Sequence, residues 1–426
     1  ENPKDLQVHP RDLASLAGEE TIFGGFAAEK LERLQAELEP LSGRYDVVVA
    51  NPPYMGSKNM NRWLGDWVKT HYKDVKGDLF SCFMVRNVGM GAEHAQLGFM
   101  TPYVWMFIGT YEKLRKFVIQ QNTITSLIQL EYSGFSGATV PICTFTLQKG
   151  YCPGYRGGYV RLSDFVGADQ QAPRALEALA NPDCGWFYRV DANSFEAIPG
   201  RPIAYWISNG LEHAFIAFPP LRDTAKPTAG IRTGNNERFL RYTWEVSINR
   251  CNFNSPDRQQ AAFSKAKWFP CHKGGGFREW YGNYEYLINW ENDGRELSAY
   301  AGCDNAGVRY FFRSGLSWGT ISSANLSVRY SYPGMISEHC GSMCFASSNE
   351  DVLCCAALLN SSVSDKIHEI LSPTLSFREA SIGNTPLCFG SHREQIALLS
   401  NQCVSIAKQD WDLFENSWDF KHHPLL

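Results

Sequence analysis

One decapeptide limits what this chain can fold into more than any other stretch: Tyr45-Asp46-Val47-Val48-Val49-Ala50-Asn51-Pro52-Pro53-Tyr54. Its four consecutive apolar residues are typical of a strand buried in a parallel sheet. Two successive prolines then end the strand, because they can neither continue a ladder nor lead smoothly into a helix. We therefore predict that Asn51 and Tyr54 lie at the carboxyl end of a core strand, where open α/β sheets bind ligands.

The residues after this strand suit methyl transfer to an exocyclic amine, above all the N6 of adenine. That nitrogen is a poor nucleophile because its lone pair is delocalised into the ring. The side-chain carbonyl of Asn51 and the main-chain carbonyl of Pro52 could each accept one of its hydrogens, which would free the lone pair for in-line attack on a sulfonium methyl. Tyr54 would stack on the extruded base, a contact worth about 1–3 kcal/mol. The alternative is a turn in which the prolines merely end a strand.

The segments that follow alternate between helix and strand. Lys76–Phe80 opens a helix, with Asp78 placed as its N-terminal cap. A strand at Gln96–Pro102 is expected to end on the same rim as Asn51. The further predicted elements are a helix at Trp105–Gln121 and strands at Ile124–Leu130 and Pro141–Gln148.

Asn51-Pro52-Pro53-Tyr54 resembles the hallmark of the gamma-class amino-methyltransferases, and the resemblance covers about residues 40–150. The tetrapeptide alone is shared with enzymes that methylate glutamine side chains or guanine in RNA. The longer run from Asn51 to Asn61 is similar to the PglX-type adenine-specific DNA methyltransferases of BREX phage-defence systems, relatives of fused restriction–modification enzymes. The resemblance implies an α/β fold: the second half of a Rossmann-like S-adenosylmethionine-dependent methyltransferase sheet, followed by an α+β target-recognition domain.

The same resemblance implies roles for further residues. Asp78, in Asp-Leu-Phe, and Asn51 would lie near the cofactor S-adenosylmethionine; a helix cap alone is the other interpretation of Asp78. Phe135 would hold the flipped base from the face opposite Tyr54, or else pack on the core. No strand–glycine–helix unit precedes Tyr45, so we expect the main cofactor loop upstream of residue 1 and interpret the chain as an internal fragment.

Charge distribution points to a nucleic-acid partner in the second half of the chain. The net charge is −4, but Lys226–Arg313 contains 13 Lys and Arg against 9 Asp and Glu, a net of +4 that leaves −8 elsewhere. That stretch also holds 17 of the 57 aromatic residues. Basic residues interleaved with aromatics are typical of a surface that grips a duplex. An aromatic core with solvated charges around it is the competing interpretation.

Two glycine-containing segments within this stretch carry candidate DNA contacts. Amides and arginines can recognise base edges, although they can equally hold phosphates. Three successive glycines allow close backbone approach to a partner. The candidates are Arg232, Asn235, Asn236, Arg238, Lys273 and Arg278.

We predict three parts of the chain: a methyltransferase catalytic domain at 1–150, a connector at 151–228 and a DNA target-recognition domain at 229–426. The boundary is placed at the Pro/Gly-rich joint 152–158. The expected partner is double-stranded DNA, and other phage-defence proteins are further candidates. A catalytically inactive DNA-specificity or phage-sensing module that retains a methyltransferase shell is the alternative function.

Composition narrows the setting. No apolar run reaches the length of about 18 residues that a membrane span needs. The thirteen cysteines are odd in number and scattered among apolar residues, which suits reduced thiols and a cytoplasmic location. His339-Cys340 with Cys344 is the one spacing that hints at a metal, and we predict none because no second ligand pair follows.

Overall fold

The computed structural model of the chain describes residues 33, 36, 39–132, 134, 140–373 and 376–423. The chain divides into two compact units, residues 1–206 and 207–426. The spacing of Ala28, Leu31, Leu34 and Leu38 predicts a helix from about Ala27 to Glu39, and that segment lies largely outside the described residues. None of the helices within the described ranges has the length and apolar character needed to cross a bilayer.

The first unit is built on a six-stranded sheet. Its strands are β1 Tyr45–Ala50, β2 Gly91–Pro102, β3 Asn122–Gln129, β4 Ile142–Lys149, β5 Arg156–Arg161 and β6 Phe187–Asp191. The strand order is β1-β2-β4-β3-β5-β6. The pairs β1/β2 and β3/β5 are parallel, whereas β2/β4, β3/β4 and β5/β6 are antiparallel. The α/β class is confirmed, and the sheet is mixed rather than purely parallel.

Two apolar clusters lie against this sheet, and they involve four helices. The helices are α1 Arg62–His71, α2 Leu79–Met90, α3 Glu112–Gln121 and α4 Ala168–Ala180. Phe80 and Met84 of α2 share a cluster with Leu114 and Val118 of α3 and with Phe99 of β2. The hydrophobic effect of burying these side chains fixes the helices against the strands.

The predicted helix Trp105–Gln121 is wrong in its first half. Residues 103–106 and 109–111 form separate 3₁₀ turns, and α3 begins at Glu112. Buried Arg115 explains the break, since its guanidinium donates to the carbonyls of Trp105 at 2.7 Å and Ile108 at 2.8 Å. Those carbonyls are therefore satisfied without a continuous helical ladder.

The prediction that β1 is a buried core strand is also wrong for the described residues. β1 stands at the end of the strand order and pairs with β2. Val47 is 62% exposed and Val49 is 77% exposed. An apolar run marks a strand but does not distinguish a central position from an edge, because that depends on which strands pair with it.

The sheet continues past the predicted boundary near residue 155. β5 adds in parallel to β3, and β6 pairs with β5. The sequence pattern after the joint predicts a strand at Tyr159–Leu162 and a helix about Arg174–Ala180. Both are present, as β5 and α4, and both begin earlier than predicted. The Pro/Gly-rich joint is thus a connection within the first unit, whose end falls at residue 206.

The second unit contains two four-stranded sheets. Its strands are β7 Ala225–Thr228, β8 Leu240–Tyr242, β9 Trp268–His272, β10 Tyr286–Asn289, β11 Gly315–Trp318, β12 Val328–Ser331, β13 Ile336–Ser337 and β14 Met343–Ala346. One sheet has the order β13-β9-β10-β8 and the other β12-β11-β14-β7. All pairs are antiparallel except β13/β9.

Eight helices among the described residues surround these sheets. They are α5 Asn209–Ala217, α6 Asn236–Phe239, α7 Arg258–Phe263, α8 Glu291–Ser298, α9 Asn349–Leu359, α10 Ser362–Leu371, α11 Glu379–Gly383 and α12 Arg393–Trp411. Each sheet has its own apolar cluster. Leu316 and Trp318 of β11 pack with Leu353 of α9, whereas Phe269 of β9 packs with Ile288 of β10.

Candidate active site and nucleic-acid interface

Parallel pairing brings the ends of β1 and β2 to the same rim of the first sheet. Ala50, the last residue of β1, lies opposite Phe99, and the next residue of β2 is Met100. Asn51 follows β1 directly and its side chain is exposed, whereas Pro52 is buried. The predicted placement of the tetrapeptide at a carboxyl strand end, beside Thr101-Pro102, is confirmed.

The Tyr54 hydroxyl links the two strand ends. It lies 3.2 Å from Asn51 Oδ1 and 3.3 Å from the Met100 carbonyl oxygen, so its one proton is shared between two acceptors. The ring is 39% exposed and meets Phe80 edge-on, with 6.4 Å between ring centroids. Partial burial, with Cys143 nearby, raises the pKa of the Tyr54 phenol. The hydroxyl therefore stays protonated near neutral pH and acts as a donor.

Asp78 ties the site loop to the start of α2. Its Oδ1 accepts the Met55 N–H at 2.9 Å and the Phe80 N–H at 3.3 Å, the second being the predicted helix cap. The main chain adds two bonds in the same place, Leu79 N–H to Met55 O at 3.1 Å and Ser57 N–H to Gly77 O at 3.0 Å. These contacts fix the segment that immediately follows Tyr54.

The electrostatics of Asp78 reflect two opposed effects. Burial raises the pKa of the carboxyl, and the N–H groups of Met55, Phe80 and Leu79 act against that rise. The backbone donors stabilise the ionised form because they point positive hydrogens at it. Oδ2 is the remaining acceptor of this carboxylate, since the two side-chain hydrogen bonds converge on Oδ1.

The rim thus presents the Asn51 side-chain carbonyl beside the Tyr54 hydroxyl, and the Pro52 carbonyl follows it along the chain. Asn51 Oδ1 and the Pro52 carbonyl oxygen are consecutive along the chain, and the described residues donate no main-chain hydrogen bond to the Pro52 oxygen. An amino group placed between them could donate both of its hydrogens. Phe135, the predicted second stacking residue, lies outside the described residues.

Sequence reasoning missed the part that Met100 and Met55 play at this site. Met100 contributes a carbonyl oxygen and Met55 an N–H group, so neither role depends on the identity of the side chain. Main-chain contacts of this kind leave no signature in residue type. The only available signal was the expectation that the second strand ends on the same rim.

In the second unit, two of the predicted DNA-contacting arginines already have carboxylate partners. Arg238 donates to Glu296 Oε1 from Nε at 3.0 Å and from Nη2 at 2.7 Å. Arg278 donates from Nη2 to Asp410 Oδ2 at 2.5 Å and from Nε to the Tyr281 carbonyl at 3.0 Å. Their guanidinium charges are therefore partly neutralised within the unit.

The two predicted asparagines are also engaged locally. Asn235 caps the short helix α6, its Oδ1 accepting the Arg238 N–H at 3.0 Å. Asn236 Oδ1 accepts the Thr233 hydroxyl at 2.5 Å. Both amides thus shape the turn that the sequence Gly234-Asn235-Asn236 predicted.

Arg232 and Lys273 are the more available cations of the predicted set. Arg232 is exposed, and the bonds that its residue makes within the described part of the chain are main-chain bonds to Asp304. Lys273 Nζ lies 4.5 Å from the centroid of the Tyr286 ring, a cation–π contact. Of the glycines that follow it, Gly274 and Gly275 have positive φ, which favours glycine at both positions.

Metal-ligand atoms come together at Glu338, His339 and Cys340, all within 4.8 Å of one another. The Cys340 N–H donates to Glu338 Oε2 at 2.9 Å. Burial and this neighbouring carboxylate raise the pKa of the Cys340 thiol, and the three ligand atoms fall short of the four that a structural zinc takes. The cluster therefore gives no reason to assign a metal.

Comparison with known proteins finds methyltransferases, as the motif at Asn51–Tyr54 leads us to expect. A family model described as Eco57I restriction-modification methylase matches residues 19–135. The chain is 35% identical over 398 residues to the adenine-specific methyltransferase PglX of Lacticaseibacillus casei (strain Zhang), covering 91% of this chain and 33% of that protein. It is 33% identical over 435 residues to the adenine-specific methyltransferase BrxX of Escherichia coli O9:H4 (strain HS), covering 100% and 34%.

The predicted resemblance to PglX-type methyltransferases is therefore confirmed, and the chain spans about a third of the length of these relatives. Among solved structures, the Type IIL restriction-modification enzyme MmeI in complex with DNA matches with a TM-score of 0.55 and 10% identity. That match covers 91% of this chain and 52% of the other. At this identity it shows a shared fold, which extends through both units.

Proposed function

We propose that this chain, similar along nearly its whole length to adenine-specific methyltransferases named PglX and BrxX, forms the base-accepting part of an adenine-N6 DNA methyltransferase. The observation that carries the proposal is the rim of the first sheet, where the exposed Asn51 places its side-chain carbonyl 3.2 Å from the hydroxyl of the partly exposed Tyr54. In this proposal the enzyme marks host DNA in a BREX-like phage-defence system, as the resemblance implies.

The chemistry asked of Asn51 and Pro52 is to orient an amine and to withdraw its hydrogens. Their carbonyl oxygens accept the two N6 hydrogens, which moves the nitrogen towards tetrahedral geometry and restores its lone pair. S-adenosylmethionine, when bound, would supply the methyl group to this nitrogen, with the N–C bond forming as the S–CH₃ bond breaks, and one N6 proton would be lost to solvent afterwards. No strong base is required, because the amine becomes acidic only once the methyl group has arrived.

Tyr54 would have one role before the base enters the site and another after it has entered. Before the base enters, its hydroxyl occupies the Asn51 oxygen at 3.2 Å and so gives that acceptor a partner. When an adenine is extruded from the duplex, its amino group replaces the hydroxyl and the ring stacks on the base. Phe135 is proposed to hold the opposite face of the base.

S-adenosylmethionine supplies the methyl group as an electrophile. Asn51 and Asp78 are the residues of this chain that we place in its site. The carboxyl chemistry of Asp78 fits this role, since Oδ1 holds the loop while Oδ2 faces no hydrogen-bond donor among the side chains described. The proposed main contribution of Asp78 is to hold the segment after Tyr54 against the start of α2.

Residues 229–426 are proposed to recognise the DNA target. Arg232 and Lys273 are better placed for phosphate or base contacts than Arg238 and Arg278, because the latter pair must give up carboxylate partners before binding an anion. Asn235 and Asn236 would act chiefly by shaping the Arg232 turn. A duplex is the preferred substrate because the basic and aromatic content is concentrated in this part of the chain.

The decisive experiment replaces Asn51 with alanine in the full-length protein. N6-methyladenine formation should be abolished, while affinity for duplex DNA stays within about twofold, since DNA gripping is assigned elsewhere. Asn59→Ala is the matched control, an exposed asparagine in the same loop, and it should retain methylation. Methylation by Asn51→Ala at the control's rate would contradict the mechanism.

A substrate other than DNA would be exposed by competition. Duplex DNA should suppress methylation of a labelled DNA target, whereas equal concentrations of RNA or a glutamine-containing peptide should not.

Calorimetry of the full-length protein with S-adenosylmethionine tests the alternative that the chain is a catalytically inactive shell. A protein that binds duplex DNA but gives no heat with the cofactor and no methylation would be such a shell.

A further inference from the structure

Arg329, within β12, is a buried cation on which no carboxylate of the described residues acts. Its side chain is 1% exposed, and its Nε–H meets no acceptor within the described part of the chain. The ionisable groups that act on it are the Tyr284 phenol and the Arg278 guanidinium, with no carboxylate among the described residues. A buried charge is ordinarily paired, because removing it from water costs several kcal/mol.

The surroundings of Arg329 are donors rather than anions. Ser317 of β11 is its direct register partner, so both side chains project from the same face of the sheet. The Ser317 hydroxyl is fully buried and also has no hydrogen-bond partner among the described residues. A buried hydroxyl without a partner thus lies on the strand next to an arginine whose Nε–H has no acceptor among the described residues.

The next residue on this face, Ser331, is already satisfied by its neighbours. Its Oγ lies 2.8 Å from His272 Nε2, with which it shares a hydrogen bond, and it lies 3.4 Å from the Tyr332 carbonyl oxygen. Burial, with Arg329 nearby, lowers the pKa of His272 to about 3. The imidazole is therefore neutral and supplies no charge, positive or negative.

A second arginine that is buried in the described part of the chain shows how such a group can be accommodated. Arg115 donates to three carbonyls, those of Gly200, Trp105 and Ile108, at distances from 2.6 to 2.9 Å. Five N–H donors need several acceptors, and a carbonyl cage supplies them. No such cage surrounds Arg329 within the described residues.

We propose that Arg329 and Ser317 form a binding site for a small inorganic anion of the halide class, with chloride as the physiological occupant. A single-atom anion accepts hydrogen bonds from every direction, which suits a planar guanidinium beside a hydroxyl. A DNA phosphate does not suit the site, because a side chain that is 1% exposed cannot reach a duplex outside the unit. The site lies outside the proposed methyl-transfer machinery and does not depend on it.

Bromide is the probe that locates the anion directly. Crystals of this chain grown in sodium bromide should give an anomalous peak at the bromine edge between the Arg329 guanidinium and Ser317 Oγ. The peak should be lost in Arg329→Met and weakened in Ser317→Ala. Ordered water without bromine signal at that position in the wild-type chain would overturn the proposal, and this result does not require any variant to fold.

Thermal unfolding tests the same site in solution. At constant ionic strength, replacing gluconate with 100 mM chloride should raise the Tm of the chain by about 2–6 °C, since the anion binds only the folded state. Arg329→Met should abolish this rise, whereas Arg313→Met, at an exposed arginine, should retain it. An undiminished chloride dependence in Arg329→Met would refute the assignment.

Discussion

Replacing Asp78 with alanine should detach the loop after Tyr54 from the start of α2. The carboxylate oxygen Oδ1 accepts two N–H groups, from Met55 at 2.9 Å and from Phe80 at 3.3 Å. Hydrogen bonds to a charged acceptor contribute about 1.5–3 kcal/mol each, and the longer bond belongs at or below the lower limit. Together the two hydrogen bonds stabilise the loop conformation by roughly 2–4 kcal/mol.

That loss translates into activity because the loop carries the residue next to the stacking tyrosine. If the free energy of these two hydrogen bonds no longer stabilises the transition state, kcat/KM for adenine methylation should fall by roughly 30- to 900-fold in Asp78→Ala. Asp78→Asn keeps a carbonyl oxygen for the same two N–H groups and is an equally good N-cap. It loses the charge alone, so its activity should fall by no more than about tenfold.

The assay is N6-methyladenine formation by the full-length protein under single-turnover conditions, with S-adenosylmethionine affinity measured by calorimetry. Asp257→Ala is the matched control, since Asp257 caps α7 by accepting the Gln260 N–H at 2.8 Å, far along the chain. It should leave methylation within about twofold, as expected of a surface helix cap.

Equal damage in Asp78→Asn and Asp78→Ala would refute the loop-holding argument. If both variants lost cofactor affinity together, the negative charge itself, and not the tie to Met55, would be what the site requires. A normal rate in Asp78→Ala would refute both roles.

Three further perturbations have defined outcomes. Tyr54→Phe removes a hydroxyl and keeps the ring, so methylation should stay within about threefold, whereas Tyr54→Ala should cost about 5- to 150-fold through lost stacking; equal losses in steady-state assays would contradict this. Arg232→Ala should weaken duplex binding and reduce the salt slope by about one, and Arg238→Ala should do so less because that arginine is ion-paired, as filter binding across salt concentrations can check. His272 and His368 are buried neutral, with pKa values lowered by burial to about 3 and about 4. Below about pH 6.5 these two histidines bind protons in the unfolded chain but stay neutral in the folded chain. The free energy of unfolding, measured in urea, should therefore fall by about 1–2 kcal/mol per histidine from pH 7 to pH 5. Equal free energies of unfolding at both pH values would contradict the burial argument.

Local rules allowed the sequence to predict the site motif and its immediate frame. A run of apolar residues followed by two prolines can only be a strand that stops, so Asn51 and Tyr54 had to lie at a strand end. Asp78 before an apolar helical segment had to cap it. These inferences depend on neighbours within a few residues, and such contacts form wherever the rest of the chain lies.

Contacts between residues distant in sequence decided the features that the sequence did not predict. The exposure of Val49 follows from β1 standing at the end of the sheet, which strand pairing alone determines. Arg278 is occupied by Asp410, 132 residues away, and the Tyr54 hydroxyl by Met100, 46 residues away. The unpaired charge of Arg329 is likewise a property of the two packed sheets, since burial depends on which side chains cover a residue. The sequence by itself determined which polar groups and which aromatic ring come together at Asn51–Tyr54, because these residues are adjacent in the chain. Only tertiary structure decided which cations remain available and which acceptors face one another, because those depend on long-range contacts.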